Sequence, residues 1–234
     1  MNNRGTTMER HFERELESLK TMLMKMASMA EENFVNAMRS LIDKNVPLAE
    51  RVMEADNRVD SLELEIDNAI VDILALQKPV ASDLRFIIAA QKINNDLERI
   101  SDHAINIAQS AKTLTESGKL TTTLEIPAMA DITRTMLRDA LDAFLHLDPA
   151  QARRVCATDD QIDDLNRSNA RQVIGLIQGK QVPVEEGLDL IRVSRNLERV
   201  ADLTTNIAEE VVFLTQARVL KHHADENRPE QPRP

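Results

Sequence analysis

The sequence predicts an all-α protein of six long helices, arranged as two pseudo-symmetric three-helix bundles. Three observations predict it. With five Gly, no Trp or Tyr and 2% aromatic residues, the composition leaves little for an architecture of turns and strands. Apolar residues recur in steps of three and four over long stretches. A mixed polar and apolar block around Leu97 returns about 100 positions later, the sign of an internal duplication.

Prolines punctuate the chain. They stand at 47, 79, 127, 149, 183, 229, 232 and 234. Proline suits the first turn of a helix and is excluded from its interior, so those from 47 to 183 separate six helical segments. The last three lie in 222–234, a polar stretch expected to be a disordered tail. The second segment carries an apolar seam of Ala55, Val59, Leu62, Ile66, Ala69 and Ile73. In the third, the seam runs from Phe86 through Ala90, Ile93, Leu97, Ile100, Ala104, Ile107 and Ala111 to Leu114, alternating fours and threes. The fifth is more ragged, with Val155, Ile162, Leu165 and Leu176. The sixth repeats the clean pattern from Leu190 through Leu197, Val200 and Ile207 to Leu214. Helices of about 25–40 residues would span roughly 40–60 Å, giving rod-like bundles.

The duplication fixes the domain plan. Residues 97–108, Leu-Glu-Arg-Ile-Ser-Asp-His-Ala-Ile-Asn-Ile-Ala, match 197–208, Leu-Glu-Arg-Val-Ala-Asp-Leu-Thr-Thr-Asn-Ile-Ala, at seven of twelve positions. At a shift of 103, Arg51, Val52, Asp56, Asp60 and Leu62 match Arg154, Val155, Asp159, Asp163 and Leu165. The expected units are therefore 8–118 and 123–221. A shared heptad accounts for the matching Leu, Ile and Ala, but not for the matching polar positions.

Those polar positions are Asp56, Asp60, Glu98 and Asp102 in the first half, and Asp159, Asp163, Glu198 and Asp202 in the second. Carboxylates four apart share a helix face, where their repulsion needs a counterion. Hard cations such as magnesium, manganese or oxidised iron favour carboxylate oxygen, and such ligands do not distinguish these from adventitious zinc. Solvated surface acid is the alternative, since acidic pairs at this spacing also arise by chance, and Arg99 and Arg199 could neutralise the charge without metal. With Leu97 at a and Ile100 at d, Glu98 falls at b and Asp102 at f, so the cluster faces outward. Asp56 and Asp60 take e and b of their own helix, as do Asp159 and Asp163. His103 is a weaker candidate ligand, because Leu203 stands at its counterpart.

Other chemistry is excluded. A net charge of −10 repels phosphate backbones and anionic lipid. There is no phosphate-cradling Gly loop, no H-E-x-x-H, no G-x-S-x-G, and no Glu-x-x-His of a di-iron bundle. The lone Cys156 cannot form an internal disulfide and reads as a packing residue in a reducing compartment. No run approaches about 18 apolar residues and the N-terminus lacks a signal core, so a soluble cytoplasmic protein is expected.

The chain resembles the PhoU family. The resemblance rests on Gln77-Lys-Pro-Val-Ala-Ser-Asp-Leu-Arg85, on Asp96 through Ala108, and on the opening His11-Phe-Glu-Arg-Glu-Leu-Glu-Ser-Leu19. It implies two pseudo-symmetric three-helix bundles, with paired E(D)-x-x-x-D motifs binding multinuclear metal at the eight carboxylates above. The family's usual Glu-Arg-Ile-Gly-Asp is altered here, with Ser101 and Ala201 at the small position. The resemblance further implies a non-enzymatic negative regulator of the phosphate-starvation response. Such a regulator bridges the phosphate ABC transporter, through its ATPase subunit, and a sensor histidine kinase, reaching the membrane only through these partners. Long amphipathic helices favour a homodimer. The alternatives are a helical scaffold without metal and a carboxylate-metal hydrolase or oxidase.

Overall fold

Every predicted segment is helical in the computed structural model, which describes residues 3–77, 79–118 and 124–216, without the side chains of 3–10 and of Asp56. The tail 222–234, with its His222–His223 pair, lies outside the described residues, as does most of the expected seam between the repeats. The helices are α1 (Asn3–Ile42), α2 (Val46–Glu54), α3 (Asp56–Leu76), α4 (Ala81–Glu116), α5 (Ile126–His146), α6 (Pro149–Gln178) and α7 (Val184–Gln216). The second predicted segment is thus divided in two at Ala55. There Ala55 N donates to Val52 O and Arg58 N to Ala55 O, the i to i+3 bonds of a tight turn. In the other half α6 runs unbroken through the equivalent position. Its Asp159 is bonded to Thr205 of α7, whose counterpart Ile105 has no hydroxyl to offer.

Helix boundaries follow the prolines and repeat between the halves. Lys44 (φ +53°) and Leu147 (φ +51°) both end a helix in the left-handed region, 103 positions apart. Each is followed by a capping residue. Asn45 Oδ1 accepts from Leu48 N at 3.1 Å, and Asp148 Oδ1 accepts from Ala150 N at 2.8 Å and Gln151 N at 3.1 Å. Pro47 and Pro149 then occupy the first helical turn.

In the first bundle α1, α2 and α3 pack on α4; in the second α5 and α6 pack on α7. The predicted seams form the two cores. Ile93, Leu97, Ile100, Ala104 and Ile107 of α4 are fully buried, as are Val193, Leu197, Val200, Thr204 and Ile207 of α7. Phe86 is only half-buried and stacks on Phe144 of α5, ring centroids 6.4 Å apart, across the two bundles.

The central helices α4 and α7 also pack against each other, antiparallel, through polar pairs that the apolar pattern does not reveal. Lys92 Nζ meets Glu210 Oε1 at 2.6 Å, Asp96 is hydrogen-bonded to Asn206, and His103 Nδ1 lies 2.8 Å from Asn196 Oδ1. Burial pushes the Asp96 carboxyl up to about 6, against the lowering effects of Arg99 and the Asn206 bond.

Ser101 earns its place in the core by a hydrogen bond. Its hydroxyl, 1% exposed, accepts from Asn33 Nδ2 of α1 at 2.8 Å, so the small position tolerates Ser where only close packing would otherwise be expected. Ala201 is fully buried at the equivalent place. Replacing Asn33→Ala should cost about 1–2 kcal/mol by leaving a buried hydroxyl unpaired, and adding Ser101→Ala should recover part of that loss. Urea unfolding of the two single variants and the double variant measures it.

Candidate metal centres

A seam that buries Leu97, Ile100 and Ala104 turns the residues between them outward, because each step along a helix rotates by about 100°. Glu98 and Asp102 therefore stand on the outer side of α4, beside α3; Glu198 and Asp202 stand on the outer side of α7, beside α6. Glu98, Glu198 and Asp202 are half-buried and Asp102 is exposed. From the neighbouring helices come exposed Asp60 on α3 and half-buried Asp159 and Asp163 on α6. Asp56 is the first residue of α3, and its side chain lies outside the described residues.

The carboxylates in each set feel one another. Burial, then Asp102, Glu63 and Asp60, pushes Glu98 up to about 7. Asp102 is raised by burial and by Asp60. In the second set, burial and then Asp202 and Asp163 raise Asp159, and the same two acids act after burial on Glu198. Asp202 is raised by burial and Asp163, against the lowering effect of Arg199. The structure thus brings together Asp60, Glu98 and Asp102 in one band and Asp159, Asp163, Glu198 and Asp202 in the other.

Two residues of the first band are not singled out by the repeat. Glu63 is raised by burial, then by Asp67, Asp60 and Asp102, which places it among the predicted ligands. Asp67 Oδ1 accepts from Gln91 Nε2 at 2.8 Å and Asn94 Nδ2 at 2.9 Å, tying α3 to α4 beside the band. Glu63 stands three residues after Asp60 and so shares its face, which is a legible signal. Its counterpart is Asn166, which a search for matching acids discards.

Arginine distinguishes the two bands. Arg199 Nη1 lies 3.0 Å from Asp202 Oδ2 and its Nε 3.6 Å from Glu198 Oε2, while Arg167 Nη1 lies 3.9 Å from Asp163 Oδ2. Arg99 turns instead to Asp96, at 3.8 Å. Among the described residues no ion pair reaches Asp60, Glu98 or Asp102. His103 is half-buried between the bands, close enough to lower both Asp102 and Asp202.

The donor set is all carboxylate and amide oxygen, which suits a hard cation. A buried acceptor without a hydrogen-bond partner stands beside the first band, Asn94 Oδ1, and another in the second, Glu198 Oε2, which has only the 3.6 Å ion-pair contact with Arg199. The carboxylates form open bands along the helices, and as placed no group of three or more of the described acids, His or Cys gathers tightly enough to hold a metal ion. Cys156 stands apart from nucleophilic chemistry. It is half-buried, and burial, then Glu209 and Asp159, pushes its thiol up to about 11.

The PhoU domain model matches this chain twice, over residues 23–111 and 126–211. The chain belongs to the PhoU family. The two matches fall on the two bundles, and each contains one carboxylate band. The "phosphate-specific transport system accessory protein PhoU homolog" of Clostridium acetobutylicum is 33% identical over 204 residues, covering 87% of this chain and 93% of the relative. The crystal structure of PhoU from Pseudomonas aeruginosa superposes with a TM-score of 0.86 at 34% identity, covering 88% of this chain and all of that one. That of the phosphate transport system regulatory protein PhoU from Streptococcus pneumoniae gives 0.83 at 27% identity, over 90% of this chain and all of the other. PhoU is a regulatory and accessory family, not an enzymatic one. Among the described residues no helix is long and apolar enough to cross a membrane.

The raised carboxylates fix a pH dependence. A carboxyl raised in the folded state holds its proton above the pH at which the unfolded chain releases it, so stability falls as pH rises through that window. For Glu98 the window runs from its ordinary 4.5 to about 7. The melting temperature of chelator-treated protein should therefore decline between about pH 5 and about pH 8, and Glu98→Gln should flatten the decline. A thermal-melt series in matched buffers checks both.

Proposed function

We propose that this PhoU-family phosphate transport accessory protein is a negative regulator of the phosphate-starvation response. In this reading it is a cytoplasmic metal-binding adaptor between the phosphate ABC transporter and a sensor histidine kinase, and it modulates phosphate uptake. The observation that carries the reading is the double family match coinciding with two outward carboxylate bands on rigid helical bundles. The adaptor role also accords with long exposed helix faces and with carboxylates placed at a surface. Deleting the gene should give constitutively high alkaline phosphatase activity in phosphate-rich medium, returned to low activity by the intact gene. Normal repression in the deletion strain would overturn the reading.

Asp56, Asp60, Glu98 and Asp102 would hold one ion or cluster, and Asp159, Asp163, Glu198 and Asp202 the other. Iron, manganese and magnesium fit the oxygen donors, with zinc the less matched choice. Bound metal would supply positive charge that pins α3 to α4 and α6 to α7. The arginine pairs favour a second reading for the second band, where Arg199 and Arg167 already offset part of the charge without metal. The first band should therefore be the tighter site. Glu98→Ala combined with Asp102→Ala should remove at least one bound metal while leaving helicity intact, and Glu198→Ala with Asp202→Ala should remove less. Elemental analysis after gentle, chelator-free purification, with far-ultraviolet circular dichroism alongside, measures the difference.

A further inference from the structure

Beyond the first carboxylate band, the groove between α3 and α4 changes character. Its walls carry Leu64, Val71 and Leu74 from α3 and Leu84 and Ile88 from α4, all exposed, Leu64 at 60% and Val71 at 61%. The Asp67 bonds to Gln91 and Asn94 fix which sides of the two helices meet. The helical step then sets these apolar residues beside that contact on its solvent side. In the other half Ile174, Val184 and Leu188 are exposed at the positions of Val71, Leu84 and Ile88, at the same shifts of 103 and 100. Single surface leucines need no explanation; a groove of them, repeated with the duplication, does.

Charge separates the two grooves. From 59 to 76, α3 carries Asp60, Glu63, Glu65, Asp67 and Asp72 and no Lys or Arg. Glu63 and Glu65 bracket Leu64, and Asp72 follows Val71, so acids flank the α3 residues of the apolar strip. In the matching stretch of α6, 162–179, Asp163 and Asp164 are offset by Arg167 and Arg171.

We propose that the α3–α4 groove docks a basic amphipathic helix of a partner protein. Its apolar ridge lies on Leu64, Val71 and Ile88, and its Lys and Arg side chains face Glu65, Asp67 and Asp72. Leu64 and Val71 stand seven residues apart on one face of α3, an apolar strip two turns long that the apolar face of a docked helix can cover. On the α3 side an anionic membrane meets an unbroken row of acids, although Arg85 and the Glu210-paired Lys92 stand on the α4 side, and a second copy of the chain would set the α3 acids against each other. Charge complementarity therefore selects a basic partner. The inference deepens the adaptor reading and rests on it.

The test uses the full chain and a synthetic Leu/Lys amphipathic helix of about five turns carrying one Trp. The chain has no Trp or Tyr, so the peptide's fluorescence reports binding directly. Saturable binding is expected, weakened about tenfold or more by Leu64→Ser with Val71→Ser and by Glu65→Lys with Asp72→Lys. Ile174→Ser should leave it unchanged. These exposed substitutions are checked for folding by circular dichroism. Absence of saturable binding, equal binding of a Leu/Glu peptide, or indifference to the α3 substitutions would overturn the proposal. So would loss of self-association in the Leu64→Ser, Val71→Ser variant without peptide binding, which gives the groove to a second copy. In the deletion strain, a peptide-blind variant that still holds alkaline phosphatase low would overturn this use of the groove and leave the regulator reading standing. Failure of the intact gene to lower it would overturn the regulator reading and leave the peptide result standing.

Discussion

The arrangement of this protein depends on α4 and α7 each serving two interfaces at once. One side of each helix is buried in its own bundle through an apolar seam; another meets its twin through the polar contacts of Lys92, Asp96 and His103 with Glu210, Asn206 and Asn196. With two sides committed, the helical step leaves a defined outer side, and that side carries Glu98, Asp102, Glu198 and Asp202. The carboxylates are thus positioned by burial elsewhere on the same helices. Moving a seam by one residue would rotate the band by about 100° and disperse it.

Most of the fold was legible because an apolar seam has one period and a proline one meaning. The third and sixth segments, with clean alternation, form the central helices, and their seams are buried except at the ends, where Phe86 and Leu214 are half-buried. What stayed hidden was polar. The α4–α7 contact uses Asp96, Asn196 and His103, residue types that read as solvent-facing when only hydrophobic spacing is followed. The break at Ala55 was invisible because neither Gly nor Pro marks it; the two halves differ nearby in that Thr205 is bonded to Asp159 whereas Ile105 has no hydroxyl.

The candidate site was legible to the extent that the halves agree. Matching acids at fixed shifts separated Asp60, Glu98, Asp102 and their counterparts from the many other carboxylates. The same filter concealed Glu63 and Asp67, because Asn166 and Ala170 stand in their places. It also concealed the roles of the arginines. Arg99 and Arg199 are equivalent in sequence, yet the first turns to Asp96 and the second to Asp202. The divergence follows from the interface: position 96 is an acid on α4, whereas its counterpart, Asn196, carries no charge to draw Arg199 inward.

Duplication followed by divergence in charge gives the two halves unequal electrostatic character on a common scaffold. In the first, Asp60, Glu63, Glu98 and Asp102 have no ion pair among the described residues, and α3 carries no Lys or Arg from 59 to 76. In the second, Arg167, Arg171 and Arg199 interleave with the acids. An exposed ion pair contributes little to stability, so the arginines act mainly by lowering the local demand for a cation. The first half has no such offset, and in the proposed reading a metal ion would supply it at the band and basic side chains along the groove. A cation at Asp60 and Glu98 would offset only one end of the acidic strip, leaving Glu65 and Asp72 charged beside Leu64 and Val71. Metal and a basic partner would therefore occupy successive stretches of one groove and need not compete for the same carboxylates.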